Sequence, residues 1–321
     1  MTENNEELLQ YLHTSNDVAR YTIELIEQRK GQQDSKFRSG IVPLDRHMNP
    51  WLPGELIFVL AYTSHGKTSL LQAMTRNVVK QLQSRDIQDR VAIYASWETL
   101  VEELGLYDLA SMTGIEGTQA WYGDYTAEQA VKLQQAAMKR AAMPLWVLGY
   151  SIRRKRLSRP MTIPNIGEAL HIMEEEYGMR PAAIFVDYLQ IIKPERAYPD
   201  KRIEILNIVD SLRDLARNTC APVIVACQAG RQVLRREFKL PDIGDGAETA
   251  RIEQDADKVL AMWYACKTEP VGTRLPVLNI EVDDNLMIMG IHKQRHGASW
   301  KVFPVYFDPA RNIFGEWQEV S

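Results

Sequence analysis

The sequence predicts an α/β fold, a mostly parallel sheet with helices on both faces, preceded by a short helical arm. Three observations carry this. Short apolar runs recur along the chain: LIFVLA, VAIYAS, PLWVLG, AAIFVD, PVIVAC and KVLAMWY. Helical-period stretches or loops separate them, and runs apolar throughout suit strands buried on both faces with helical crossovers. The first run leads straight into AYTSHGKT and then a helix-forming stretch, the strand–loop–helix order of a phosphate-binding loop.

Taken in order, residues 6–30 are expected to be helical, with Val18, Tyr21, Leu25 and Ile26 on one face. The polar, turn-rich GQQDSKFRSG reads as a linker. This divides the chain into an arm (1–39) and a core domain (40–321). A helix is expected over Leu70–Gln83. Another is expected from Lys201 to Ala216, where Ile205, Ile208, Val209, Leu212 and Ala216 share a face. Residues from Asn285 to Phe307 are expected to form antiparallel strands closing the sheet.

Composition narrows the function. The 321 residues are 45% apolar and 25% charged, ordinary for a globular protein with a sizeable core. A net charge of −4 gives no global basic field, so a nucleic-acid partner must be met by local patches. The three cysteines form no CxxC pair and the six histidines are scattered, which argues against structural zinc or a disulfide framework. The acidic N-terminus lacks an apolar signal core, and no apolar run approaches the roughly 20 residues of a membrane span. A cytoplasmic protein without a membrane partner is expected.

In AYTSHGKT, successive backbone N–H groups of Ser64, His65, Gly66, Lys67, Thr68 and Ser69 would face phosphate oxygens. The lysine neutralises the terminal phosphates and the threonine hydroxyl ligates magnesium, so ATP and Mg2+ are the expected cofactors. Alanine replaces the usual first glycine, a position that only begins the turn. Asp187, ending AAIFVD, is the candidate second acidic group beside the metal. Glu98, after VAIYAS, is the candidate to orient the attacking water, although a lone glutamate there also reads as a solvated loop residue.

Several segments, in order, resemble the C-terminal ATPase domain of DnaB-type replicative helicases, which has the RecA-like fold. They are GELIFVLAYTSHGKTSLLQAM, YASWET, IFVDYLQII, VIVACQAGR, ARIEQDADKVL and HKQRHG, together spanning roughly residues 40–308. Alanine at the first loop position is common in that family. The resemblance implies that Lys67 contacts the β/γ-phosphates, that Thr68 and Asp187 hold the metal, and that Glu98 is the catalytic base. It implies that Gln228 senses the γ-phosphate, as an amide can donate there without changing the site's charge. Lys293 and Arg295, in HKQRHG, correspond to residues supplied to the next subunit's γ-phosphate; read alone, they are an exposed basic turn. The helix at 17–29 resembles a linker helix that packs on a neighbouring subunit.

The same resemblance implies a hexameric ring translocating on single-stranded DNA. Two channel loops would hold the strand. The first contains Lys193, Arg196, Lys201 and Arg202. The second, PDIGDGAETAR, has Ala247 where the family usually has arginine, leaving Gly246, Glu248 and Arg251, with Arg231 nearby, as contact candidates. The run SIRRKRLSR at 151–159 looks like an added basic loop. Only about 40 residues precede the core, so the family's primase-recruiting collar is expected to be absent, and a separate protein to replace it. A RecA-like recombinase and a nucleotide-gated scaffold are the alternatives.

Overall fold

A computed structural model describes residues 12–31, 33–154, 160–230, 234–245, 252 and 254–318. The chain divides into two units, Met1–Lys36 and Phe37–Ser321. In the first, helix α1 covers Ser15–Gly31, residues 12–14 before it are not helical, and residues 6–11 of the expected helix lie outside the described residues. Thr14 caps the helix. Its Oγ1 accepts from the Asp17 N–H at 3.2 Å while Asp17 Oδ2 accepts from the Thr14 N–H at 3.1 Å, a reciprocal cap. Val18, Tyr21, Leu25 and Ile26 are all exposed.

The second unit begins inside the stretch that reads as a linker. Phe37 pairs with Trp51 in an antiparallel bridge, and both rings are buried. A short helix, α2 (Val42–Asp45), follows. Strand β1 (Leu56–Ala61) then leads through the loop into α3 (Lys67–Ser84). The parallel strands β2 (Arg90–Ser96), β3 (Leu145–Leu148), β4 (Arg180–Asp187), β5 (Val223–Gln228) and β6 (Lys258–Tyr264) match the apolar runs of the sequence. Between β2 and β3 lie α4 (Val101–Thr113), α5 (Gly117–Trp121) and α6 (Ala127–Ala141). Helix α7 (Ile163–Tyr177) precedes β4, and α8 (Lys201–Thr219) precedes β5. A two-strand ribbon, β7 (Arg274–Leu275) with β8 (Ile280–Glu281), comes before β9 (Leu286–Gln294), β10 (Lys301–Asp308) and β11 (Ile313–Gly315).

The nine-stranded sheet runs β11-β10-β9-β6-β1-β5-β4-β2-β3, with β9, β10 and β11 antiparallel. Alternation along β1 divides the core between two faces. Leu56, Phe58 and Leu60 pack with α7 and α8, while Ile57, Val59 and Ala61 pack with α3. On α8 the predicted face (Ile205, Ile208, Val209, Leu212, Ala216) is buried. The carboxyl ends of β1, β2, β4 and β5 meet at one edge, where an open parallel sheet binds ligands. No helix among the described residues is long and apolar enough to cross a membrane.

Candidate active site

At that edge the loop after β1 is shaped by two residues in the left-handed region. Gly66 has φ of 82° and caps α3, and a Cβ there would meet the Phe307 ring at 3.1 Å. Ser64 has φ of 64°. Only glycine combines that backbone with that closeness, so the GKT signature is required sterically as well as for phosphate approach. His65 is buried, and its Nδ1 accepts from the Tyr264 N–H of β6 at 3.1 Å, which puts the ring proton on Nε2. Burial, with the nearby Lys67 and Lys267 charges, lowers its pKa to about 4.

Lys67 is buried and donates to the carbonyls of Tyr62 at 2.7 Å and Ala61 at 3.4 Å. Burial lowers its pKa, and the carboxylates of Asp187 and Glu98 act in the opposite direction. Thr68 Oγ1 donates to Asp187 Oδ2 at 2.8 Å, and the buried Tyr94 hydroxyl donates to the same oxygen at 3.0 Å. Asp187 Oδ1 is buried with no hydrogen-bond partner among the described residues. Burial raises the Asp187 pKa, against the two hydroxyl bonds and Lys67. A threonine hydroxyl beside a carboxylate with one uncommitted oxygen is a hard oxygen set, which suits Mg2+. These residues fit the metal the loop implies.

Glu98 is exposed, at the mouth of the same cleft, and close enough to act on the charges of Lys67 and Asp187. Gln228 donates through Nε2 to Thr63 Oγ1 of the loop at 2.7 Å. Its backbone is held in turn by Gln190 of DYLQ. Gln190 accepts from the Gln228 N–H at 3.1 Å and donates to its carbonyl at 3.3 Å. That clamp ties the first proposed channel loop, directly after DYLQ, to the strand end carrying Gln228. The cleft holds about 540 Å3 and brings together Ser64, Gly66, Lys67, Thr68, Ser69, Glu98, Asp187 and Gln228. His65 stands behind the loop.

Tyr94, Gln190, Tyr264 and Lys267 escaped the sequence reading. Lys267 lines the cleft just past the end of β6, so the rule that strand ends carry function would have found it. Nothing local in the sequence marks Tyr94, an apparent core residue.

Lys293 and Arg295 stand elsewhere. Strand β9 runs antiparallel to β6, with Gln294 opposite Lys258, and Lys258 opposite Ile57 at the start of β1. Arg295 is therefore at the far edge of the sheet, one β1 length from its own loop, roughly 17 Å at about 3.3 Å per residue. It is half exposed. Lys293 Nζ donates to the Gln254 carbonyl at 3.3 Å.

Among the first-loop candidates, Lys193, Arg196, Lys201 and Arg202 are all exposed. Lys201 pairs with Glu204, and the Arg196 guanidinium lies 5.3 Å from the Tyr198 ring centroid. Of the further cations near the second loop, Arg236 makes a two-pronged pair with Asp245, and Lys239 pairs with Glu269. Arg235 is exposed. Arg231, Gly246, Glu248, Arg251 and residues 155–159 of the basic run lie outside the described residues.

The family model for the DnaB-like helicase C terminal domain matches residues 37–316. The replicative DNA helicase DnaB of Helicobacter pylori is 28% identical over 250 residues, covering 77% of this chain and 48% of that protein. Its Rickettsia conorii counterpart is 26% identical over 296 residues, covering 86% and 56%. A probable plasmid replicative DNA helicase of Chlamydia trachomatis is 26% identical, covering 83% and 52%. The chain thus spans about half the length of these relatives. Two solved structures share the fold at TM-score 0.75 and 20% identity. One, the ATPase domain of G40P, has 98% of its chain covered by 93% of this one. The other is a DnaB-like replicative helicase described with its interactions with primase; 93% of this chain covers 66% of it.

Proposed function

The chain belongs to the DnaB-like helicase C-terminal domain family, and on that premise we propose that it is an ATP-driven, ring-forming motor that moves along single-stranded DNA and separates duplexes. The observation that carries this is the separation of Arg295 from its own phosphate loop across the full length of β1. A site whose guanidinium cannot reach its own phosphates is completed by a neighbouring subunit, and subunits repeating one such head-to-tail contact form a ring when the rotation closes. We take that ring to be a hexamer. Residues 37–321 form the motor unit. Residues 1–36 form an arm whose exposed face of Val18, Tyr21, Leu25 and Ile26 packs on the next subunit. The assembly acts in the cytoplasm.

In this reading the N–H groups of the loop and the start of α3 receive the phosphates. Lys67 exchanges the Tyr62 and Ala61 carbonyls for β/γ-phosphate oxygens. Thr68 and Asp187 hold Mg2+, which when bound offsets charge on those oxygens. Glu98, free to turn at the mouth of the cleft, orients the attacking water. The neighbour's Arg295, with Lys293, stabilises charge on the transferring group, which a planar guanidinium does well. Gln228 senses whether the γ-phosphate is present and passes the change through Gln190 to the loop bearing Lys193, Arg196, Lys201 and Arg202. Those exposed cations, with Arg231, Gly246, Glu248 and Arg251 of the second loop region, contact the DNA backbone without sequence choice.

The test is unwinding of a forked DNA duplex, together with ATP turnover with and without single-stranded DNA. Unwinding by the wild type, its loss in Lys67→Ala and Glu98→Gln, and turnover stimulated by the strand are expected. Full turnover in either variant would sink the site assignment, and ATP turnover without unwinding or strand stimulation would sink the motor.

A further inference from the structure

Arg295 does not stand alone at its edge of the sheet. Asp257, the last residue of IEQDAD, is buried directly beneath it. Asp257 Oδ1 faces Arg295 Nε at 3.2 Å. The other oxygen, Oδ2, accepts from the Leu56 N–H at 2.9 Å and from Arg213 Nη1 of α8. The backbones interlock as well: the Arg295 N–H donates to the Asp257 carbonyl at 2.9 Å, and the Asp257 N–H to the Leu56 carbonyl at 2.8 Å.

From this arrangement we infer that Asp257 is the positioning residue for Arg295, aiming its guanidinium at the phosphate site of the adjoining subunit. The inference rests on the reading that Arg295 works in trans. Three features support it. The guanidinium comes nearest the carboxylate through Nε, and Nη1 and Nη2 make no bond among the described residues. These two groups form the fork that grips phosphate oxygens. Arg213 and Leu56 occupy Oδ2, so Arg295 is confined to Oδ1 and cannot slide to a two-pronged pair that would consume both Nη groups. One carboxylate between two guanidiniums also leaves a net positive charge, so Arg295 is steered without being neutralised. The same carboxylate ties it to α8, the helix that opens with Lys201 and Arg202 of the first channel loop. A pull on that loop is thereby carried to the residue facing the neighbour.

Mixed-subunit ATPase assays test this. Asp257→Asn and Arg295→Ala damage only what a subunit offers its neighbour, whereas Glu98→Gln damages only its own site. Each is expected to be nearly inactive alone, with Asp257→Asn losing kcat while its KM and its affinity for a fluorescent ATP analogue stay within about twofold of wild type. Mixing either variant one-to-one with Glu98→Gln restores intact interfaces, about a quarter of the total for random head-to-tail assembly. The Asp257→Asn mixture should therefore recover to the same extent as the Arg295→Ala mixture. Asp257→Glu, which keeps the charge but displaces it by one methylene, should show the same pattern with a smaller loss. Recovery with Arg295→Ala but none with Asp257→Asn would overturn the inference, because Asp257 would then serve its own site through β1. So would full activity of Asp257→Asn alone, or failure of both Asp257 variants to assemble, which would mark a folding residue. Recovery in neither mixture would remove the trans reading itself, and this inference with it.

Discussion

The two ends of β1 carry opposite kinds of site. At the carboxyl end, the loop, Asp187, Glu98 and Gln228 converge on one cleft, and most of their polar groups already have partners within the chain. At the amino end, the exposed Arg295 guanidinium lies against the buried Asp257 carboxylate, which Arg213 also holds. On the proposed reading, the first end binds nucleotide and the second is presented to a neighbour. Chemistry that needs both ends cannot be completed by one copy of the chain, and the sheet's length, about six residues of strand, is what enforces the separation.

Variants that address one end at a time should separate binding from turnover. Arg295→Ala is expected to lower kcat by about 10³-fold or more, as for other trans-acting arginines, with nucleotide affinity unchanged. Lys67→Ala should remove turnover and weaken nucleotide binding together, as the lysine belongs to the binding end; fluorescent-nucleotide titration beside steady-state kinetics distinguishes the two patterns. Gly66→Ala should destabilise the chain by about 1–2 kcal/mol in denaturant melts, from the left-handed backbone and the approach to Phe307, while leaving Arg295 presented to a neighbour. Neutralising Lys193 or Arg196 should reduce single-strand affinity by only a few fold. Its dependence on salt should flatten by about 0.7 in log–log slope for each phosphate no longer neutralised.

The smallest effect concerns acid. His65 has its folded pKa lowered to about 4 from an ordinary value of 6.5 by burial and neighbouring cations. A neutral ring is required because Nδ1 accepts from Tyr264. The unfolded chain takes up the proton first, so the stability this residue contributes is fully present above pH 6.5 and declines as pH falls towards about 4. His65→Gln should melt with a shallower dependence across that window, measured against wild type in the same buffers.

Much of the phosphate end was legible in the sequence because local rules specify it. Runs such as AAIFVD can only be central strands, strand ends carry the chemistry, and Gly66 answers to backbone sterics. What sequence could not give are pairings between distant positions. Tyr94 and Asp187 are 93 residues apart, Asp257 and Arg213 are 44 apart, and Leu56 and Asp257 are 201 apart. Apart from Asp187, each of these residues alone resembles an ordinary core or surface residue. Phe37 was hidden differently, by its polar neighbours, and only its bridge to Trp51 brings it into the core. The β7–β8 ribbon has strands of two residues each, too short for any period to appear.

The claim that two ends of different copies form one catalytic site is tested most directly by ATP turnover per subunit as a function of protein concentration, with native mass recorded on the same samples. The rate per subunit should be very low where the chain is monomeric and should rise in step with the oligomer. A monomer turning over ATP at the full rate of the assembly would contradict it.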